Sequence, residues 1–214
     1  MQWRRELAGA VVAAVLPGRC AGCGRAAEPV CAVCAAGLHP PPPLPVPPAL
    51  DGWVASFAYE GVAREVVARV KYRNQRAALP WLADAMTAAF AERFPAVAFE
   101  VVTWAPASAA RRHASGFDHG ELLARAVGRR LDLPVTRLLT REPGPPQTGL
   151  SRAARGPGPG LRAASERARG RAVVLVDDVV TTGATLSAAA SALRRAGAVT
   201  VVGLTAAATP PPGR

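Results

Sequence analysis

The 214-residue chain is half hydrophobic, long enough for one sizeable core plus a small appendage and too short for three domains. Its 26 Lys and Arg against 15 Asp and Glu give a formal net charge of +11, which disfavours basic partners and favours polyanions such as nucleic acid or phosphorylated metabolites. Much of that excess is arginine in an alanine- and proline-rich sequence, so a composition bias accounts for the charge as well as selection for binding does.

Arg4 and Arg5 precede an apolar run at residues 7–16, an arrangement that resembles a signal peptide at first sight. Glu6 interrupts it, no A-x-A site follows before Cys20, and Arg19 stands where a lipoprotein would need a small residue. The run is also too short to span a bilayer, so we expect the first amphipathic helix of a cytoplasmic protein with no membrane partner. All four cysteines follow within fifteen residues, as Cys20-x2-Cys23 and Cys31-x2-Cys34. Two C-x-x-C knuckles bring four thiolates to the separations of a tetrahedral zinc site. Two disulfides are the alternative, which the lack of an export signal disfavours. A closed four-cysteine site is usually structural and would supply much of the local folding energy. "HPPPPLPVPPAL", residues 39–50, reads as a stiff polyproline-like linker that separates this module from the rest.

Beyond the linker, strand-like and helix-like pieces alternate. "WVASFAYE" predicts a strand, "GVAREVVARVKY" a helix, residues 79–94 a second helix, and "FEVVTWAP" a strand leading into a basic loop. Residues 121–131 are helical in pattern, "LPVTRLL" is strand-like, and "AVTVVGLTAA" is a last strand. Such alternation implies a mostly parallel sheet. Residues 142–170, rich in Gly, Pro and Arg, are too long for an ordinary connection and too polar for core, so they read as a lid or a disordered loop. The expected division is a helix and zinc module at 1–38, the linker at 39–50, an α/β domain at 51–209 and a tail at 210–214.

The chemistry concentrates in "VVLVDDVVTTGATLSAAASALRR", residues 173–195. Residues 173–176 have the unbroken apolar character of a buried parallel strand, and Asp177 and Asp178 mark its expected carboxyl end. Thr181, Thr182 and Gly183 turn into an alanine-rich helix with Thr182 near its N-cap. In open α/β sheets that edge is where ligands bind. A D-D-x-x-T-T-G turn offers amides and hydroxyls at a helix N-terminus to a phosphate monoester. The acids suit ribose hydroxyls, or a magnesium ion attached to them. No G-x-x-x-x-G-K-[ST] loop is present to hold a triphosphate.

"VVLVDDVVTTGATL" resembles the signature of type I phosphoribosyltransferases, which bind 5-phosphoribosyl 1-pyrophosphate (PRPP). The wider chain is similar to the ComF branch of that superfamily, associated in some bacteria with competence for DNA uptake. The similarity lies in the paired C-x-x-C knuckles, Lys71-Tyr72, "ARRHASGFDHGELLA" and "PPQTGLSRAAR", and it covers nearly the whole chain. It implies an α/β phosphoribosyltransferase-like fold, PRPP as ligand with magnesium, and zinc at the N-terminal module. PRPP would be held by Asp177, Asp178, Thr181, Thr182, Gly183, Ala184 and Thr185, and residues 105–112 would form the pyrophosphate loop. Arg111 or Arg112 would face the diphosphate, a charge suited to a guanidinium fork. Lys71 either reaches the same diphosphate or serves the helix macrodipole. Asp177, Asp178, Lys71 and Arg111 are thus the candidate catalytic set, and Arg112 joins the PRPP-binding residues.

The chain departs from the family at Ser115-Gly116-Phe117-Asp118-His119, where Arg-Gly-Phe-Asn-Gln is usual, and at Arg155-Gly156-Pro157-Gly158, which lacks an asparagine. His113 and His119 have no identifiable carboxylate partner and are expected on the loop surface. Gln147 and Arg152 belong either to a lid that excludes water or to a disordered basic loop. Two functions remain in view. One is phosphoribosyl transfer to an acceptor the sequence does not reveal; the other is a non-catalytic accessory role in DNA uptake, with basic loops on nucleic acid or the fold as a PRPP sensor. Aromatic residues make up only 5% of the chain, so platforms for stacking single-stranded bases are few.

Overall fold

The computed structural model describes residues 18–26, 28–72, 75–108, 113, 116–141 and 160–210. In chain order the elements are α1 (Ala32–Ala36), β1 (Gly52–Ala58), α2 (Gly61–Tyr72), α3 (Ala78–Arg93), β2 (Val101–Trp104), α4 (His119–Leu131), β3 (Leu139–Arg141), β4 (Leu161–Ala163), α5 (Ser165–Ala168), β5 (Ala172–Val180), α6 (Ala184–Arg195) and β6 (Thr200–Ala208). The expected helix at 7–16 lies outside the described residues.

Val173, Val174, Leu175 and Val176 are fully buried, as an unbroken β-branched and aliphatic run requires of a strand covered on both faces. They form the middle of a four-stranded sheet of order β1-β6-β5-β2, in which every pairing is parallel. Strand alternation divides the core in two. Val174 and Val176 pack with Val66, Val67 and Val70 of α2, Met86 of α3 and Val127 of α4. Val173 and Leu175 pack with Leu186, Ala189, Ala190 and Leu193 of α6 and with Leu138, Leu139 and Leu161. The sheet therefore has helices on both faces, and β5-α6-β6 is a parallel crossover unit.

Four expectations need correction. The acids do not end their strand: β5 runs on to Val180, because β6 continues beside it with Asp177 opposite Thr205 and Val180 opposite Ala208. "LPVTRLL" is not a strand of the sheet; Val135 makes one isolated parallel bridge to Val102, and only Leu139 falls in β3. The expected lid at 142–170 is structured over its last part. There β4 pairs antiparallel with β3, and Leu161 and Ala168 are buried, so this stretch supplies core after all. Residues 142–159 lie outside the described residues. Finally, residues 39–50 do not hold two bodies apart. His39 O accepts from Ala58 N at 2.8 Å, Leu44 and Leu50 pack on the α6 side of the core, and Pro47 is buried. Proline has no amide to satisfy and a fixed φ, so such a strap can lie along a packed surface at small entropic cost.

Candidate functional site

Neighbouring strands of unequal length make the site. Pairing between β2 and β5 stops at Trp104 with Val176, and Ala105 N donates to Val176 O at 3.1 Å as the chain leaves the sheet. On the other side β5 stays paired with β6, so among the described residues Asp177 and Asp178 occupy a stretch with a strand partner on one flank and none on the other. The Asp178 amide, which a longer β2 would have engaged, donates instead to Asp177 Oδ1 at 2.8 Å. Asp178 shares the parity of Val174 and Val176, which face α2. There Lys71 Nζ, from the last turn of α2, lies 2.7 Å from Asp178 Oδ1. Burial works against the Lys71 ammonium, but Asp178, by charge and hydrogen bond, and then Asp177 outweigh it and raise its pKa above the usual lysine value.

Asp177 lines a small cleft of about 30 Å³ with Val180, Thr181, Thr182, Gly183 and Thr185. Gly183, not Thr182, is the N-cap of α6, in the left-handed region at φ 76°. A side chain there would be strained, and its Cβ would meet Pro47 Cγ at 3.1 Å. Thr182 Oγ1 accepts from Ala184 N at 3.3 Å, and Ser187 N donates to Gly183 O, which fixes the first turn of the helix. The expected turn is there, with Thr182 beside the cap rather than forming it. The strap carrying Pro47 now braces it.

The loop after β2 closes the far side. Asp118 caps α4, with Oδ1 accepting from Gly120 N and Oδ2 accepting from Ala107 N, both at 3.1 Å. This buried carboxylate caps the helix and also ties down the start of the expected pyrophosphate loop. Arg76 lies over the Phe117 ring at 4.0 Å, and Phe117 meets the His119 ring edge-on at 4.7 Å. His113 is exposed, as expected. His119 is not a surface residue of the loop: it opens α4, half-buried. Burial lowers its pKa; Asp178 and Asp118 act upward while Lys71 and Arg76 act downward, and the net value stays below that of an ordinary histidine. Burial thus favours the neutral imidazole of His119 more than in an ordinary histidine. Arg111, Arg112, Gln147, Arg152 and Arg155 lie outside the described residues; of the expected site residues the structure brings together Asp177, Asp178, residues 181–185 and Lys71, with Asp118 and His119 beside them.

Asp118 was legible as an N-cap signal, an Asp directly before a helical pattern, and Lys71 carried a stronger one: it is the only lysine in a chain whose other basic residues are all arginine. An ammonium is a compact point charge, and it fits beside one carboxylate oxygen where a planar fork would need more room.

The four cysteines converge in the N-terminal module. Their Sγ atoms all lie within 4.8 Å of one another, and none is in a disulfide. Cys23 Sγ and Cys31 Sγ are 3.9 Å apart, against about 3.8 Å between thiolates 2.3 Å from a tetrahedral zinc. Gly22 N and Cys31 N each donate to Cys20 Sγ at 3.3 Å. Burial opposes ionisation of Cys20, but amides of Cys31, Cys23 and Gly22 prevail and lower its pKa to about 6. Burial and then the neighbouring thiols push Cys34 up to about 12. Four thiols this close cannot all ionise without a cation, and the soft donor set could hold a metal such as zinc. Gly22 permits the packing: a Cβ there would meet Cys34 Sγ at 2.6 Å.

A parallel sheet flanked by helices, an acid-bearing strand that turns into a helix, and a four-cysteine cluster define a phosphoribosyltransferase-like fold with a candidate metal module. Residues 118–212, a little under half of the chain, match the family model for the phosphoribosyl transferase domain. The match takes in α4 and the whole of β5, its turn, α6 and β6. Among solved structures the chain is similar to the allosteric regulatory enzyme of purine biosynthesis, at 26% identity and a TM-score of 0.42, covering 60% of this chain and 25% of that one. It is similar to glutamine phosphoribosylpyrophosphate amidotransferase from B. subtilis, complexed with ADP and GMP, at 28% identity and a TM-score of 0.41, covering 58% and 25%. It is also similar to a purine phosphoribosyltransferase from Pyrococcus horikoshii, at 20% identity and a TM-score of 0.38, covering 57% and 71%. The chain thus spans about a quarter of the length of the first two. No curated protein matches. No helix among the described residues is long and apolar enough to cross a membrane.

Proposed function

We propose that the chain binds PRPP at the Asp177/Asp178 turn and transfers its phosphoribosyl group to an acceptor. One observation carries the reading: two carboxylates stand where β2 has left β5, directly before a threonine-rich turn that opens a twelve-residue helix. In this reading residues 181–185 receive the 5'-phosphate at the α6 N-terminus. Asp177 and Asp178 accept from the ribose 2- and 3-hydroxyls, while Lys71 stands on the diphosphate side. Paired carboxylates are also the hard oxygen donors magnesium takes, and the ion would neutralise charge on the departing pyrophosphate. Lys71 holds Asp178 oriented before the ligand arrives, which lowers the ordering cost of binding. Arg111 and Arg112 remain the proposed diphosphate ligands on the loop that Asp118 tethers.

The test is calorimetric titration of the full chain with PRPP and magnesium, followed by a pyrophosphate-release assay across purine, pyrimidine and amine acceptors. Asp177→Asn with Asp178→Asn removes two charge-assisted hydrogen bonds of about 1.5 to 3 kcal/mol each, so binding should weaken by at least about a hundredfold with the fold retained. A folded double variant that binds PRPP like the parent refutes the reading. PRPP binding without pyrophosphate release on any acceptor would leave a sensor rather than a transferase.

A further inference from the structure

We infer that Arg69 is a positioning residue that couples the four-cysteine metal centre to the Lys71–Asp178 pair through α2. The inference rests on the proposed reading of the acid turn as the ligand site. Arg69 Nη1 donates to Cys20 O at 3.2 Å and to Ala21 O at 3.3 Å, so its guanidinium grips the backbone of the first cysteine knuckle. Glu65, one turn earlier on α2, pairs with Nη2 at 3.3 Å, and the Arg69 side chain is only 13% exposed. Charge-assisted bonds to carbonyls in a half-dry setting are directional and costly to leave unmade.

Position on the helix converts that grip into coupling. Successive residues turn by about 100° and rise about 1.5 Å, so Arg69 and Lys71 stand on nearly opposite sides of α2, about 3 Å apart along its axis. One side holds the metal module; the other delivers the ammonium to Asp178 at 2.7 Å. The module is not a loose appendage on this helix. Cys20, Ala21 and Cys34 share the core cluster of Val66, Val67 and Val70, and Val62 packs beneath Gly22 and Gly37. The chain beyond α2 is tied to the same residue, because Gln75 N donates to Arg69 O at 3.3 Å just before Arg76 stacks on Phe117. A closed four-thiolate site fixes the path of residues 20–23. Without the metal nothing cross-links the two knuckles, so the two carbonyls that Arg69 needs lose their fixed path and α2 loses the clamp that sets its roll relative to β5.

The sole lysine makes the test direct, since Lys71 and the N-terminus are the only amines in the chain. Limiting acetylation of the full-length protein, read by mass spectrometry, reports how well Asp178 shields Lys71. Zinc-loaded parent should be slow to react at Lys71. Chelated parent and zinc-loaded Arg69→Met should react about five- to tenfold faster, toward the rate of Asp178→Asn, and Arg69→Lys, which keeps one cationic donor, should fall between. Circular dichroism confirms the fold of each sample; if Arg69→Met does not fold, Arg69→Lys carries the comparison. Unchanged Lys71 reactivity in a folded zinc-free parent, or in folded Arg69 variants, overturns the inference. The coupling must also be reciprocal: the factor by which zinc tightens PRPP binding must equal the factor by which PRPP tightens zinc binding in a chelator competition. Equal zinc affinity with and without bound PRPP would refute the coupling. Failure of the parent to bind PRPP would refute the proposed ligand site and leave the acetylation result to decide the coupling alone.

Discussion

Replacing Lys71 by Met leaves Asp178 as a carboxylate in a setting arranged for a pair. Lys71 and Asp178 side chains are 17% and 27% exposed, and their charged atoms are 2.7 Å apart. At an effective dielectric near 20 the gross attraction is about 6 kcal/mol, most of which desolvation offsets. Fully exposed pairs contribute about 0.2 to 1 kcal/mol, and breaking a fully buried pair costs about 3 to 5. An intermediate value of about 2 kcal/mol corresponds, for a chain of this size, to a fall in Tm of about 4 to 8 °C at pH 7. Lys71→Met with Asp178→Asn should recover much of that loss, because it removes both charges. The pH dependence has a definite sign. The folded-state pKa of Lys71 lies above the ordinary value of 10.5, so its stabilisation is fully present below about pH 10.5 and is lost as pH rises through the folded pKa. Thermal denaturation followed by circular dichroism from pH 7 to 11.5 should show parent and Lys71→Met converging only at the alkaline end. Equal Tm values at pH 7, or a gap that persists unchanged at high pH, would refute the reasoning.

Gly183→Ala should lower Tm by about 2 to 8 °C, since a left-handed φ costs about 1 to 2 kcal/mol and the added Cβ presses on Pro47. Adding Pro47→Ala should relieve only the contact, so full recovery in the double variant would show that φ strain is not the cause. Asp118→Ala should cost about 1 to 2 kcal/mol by urea denaturation, because it removes both the α4 cap and the anchor of Ala107. It should also weaken PRPP binding more than Asp118→Asn does, and equal binding in the two would show that the loop is not held by this side chain.

The parts of the fold that the sequence revealed are those governed by local periodicity. The "VVLV" run, the helical stripe at 61–72 and the apolar face of α6 each report their burial through spacing alone, and each lies where its pattern required. The four cysteines were equally legible, because short loops leave knuckles of that spacing few ways to diverge. What stayed hidden depended on partners distant in sequence. No local signal says that β2 is only four residues long, yet that ending is what leaves the flank of Asp178 without a strand partner. Nor does a polyproline run announce that Pro47 will rest on Gly183, or a histidine in a glycine-bearing loop that burial will lower its pKa. From the sequence Lys71 serves either a diphosphate or the helix macrodipole, and the carboxylate it meets lies more than a hundred residues away in the chain.

That pairing changes how the chain's charge is understood. The surplus of +11 suggests a molecule that holds polyanions by its field, yet the residues gathered at the turn do not share it. Among the described residues Lys71, Arg76 and Arg141 lie at this corner of the structure, set against Asp177, Asp178 and Asp118, and burial disfavours the charged form of His119. A ligand with a diphosphate and a monoester would meet a locally acidic surface at its ribose, so attraction by the global field cannot explain selective binding there. The amides of the α6 N-terminus can hold the monoester, since they act at hydrogen-bond range whatever the net charge. The diphosphate needs more cationic charge than Lys71, already paired with Asp178, supplies. In the proposed reading that charge comes from a divalent ion shared with the carboxylates and from the arginines of the loop anchored by Asp118. On this account the two acids select for a ligand that brings both ribose hydroxyls and a metal, and they repel phosphate groups that bring neither.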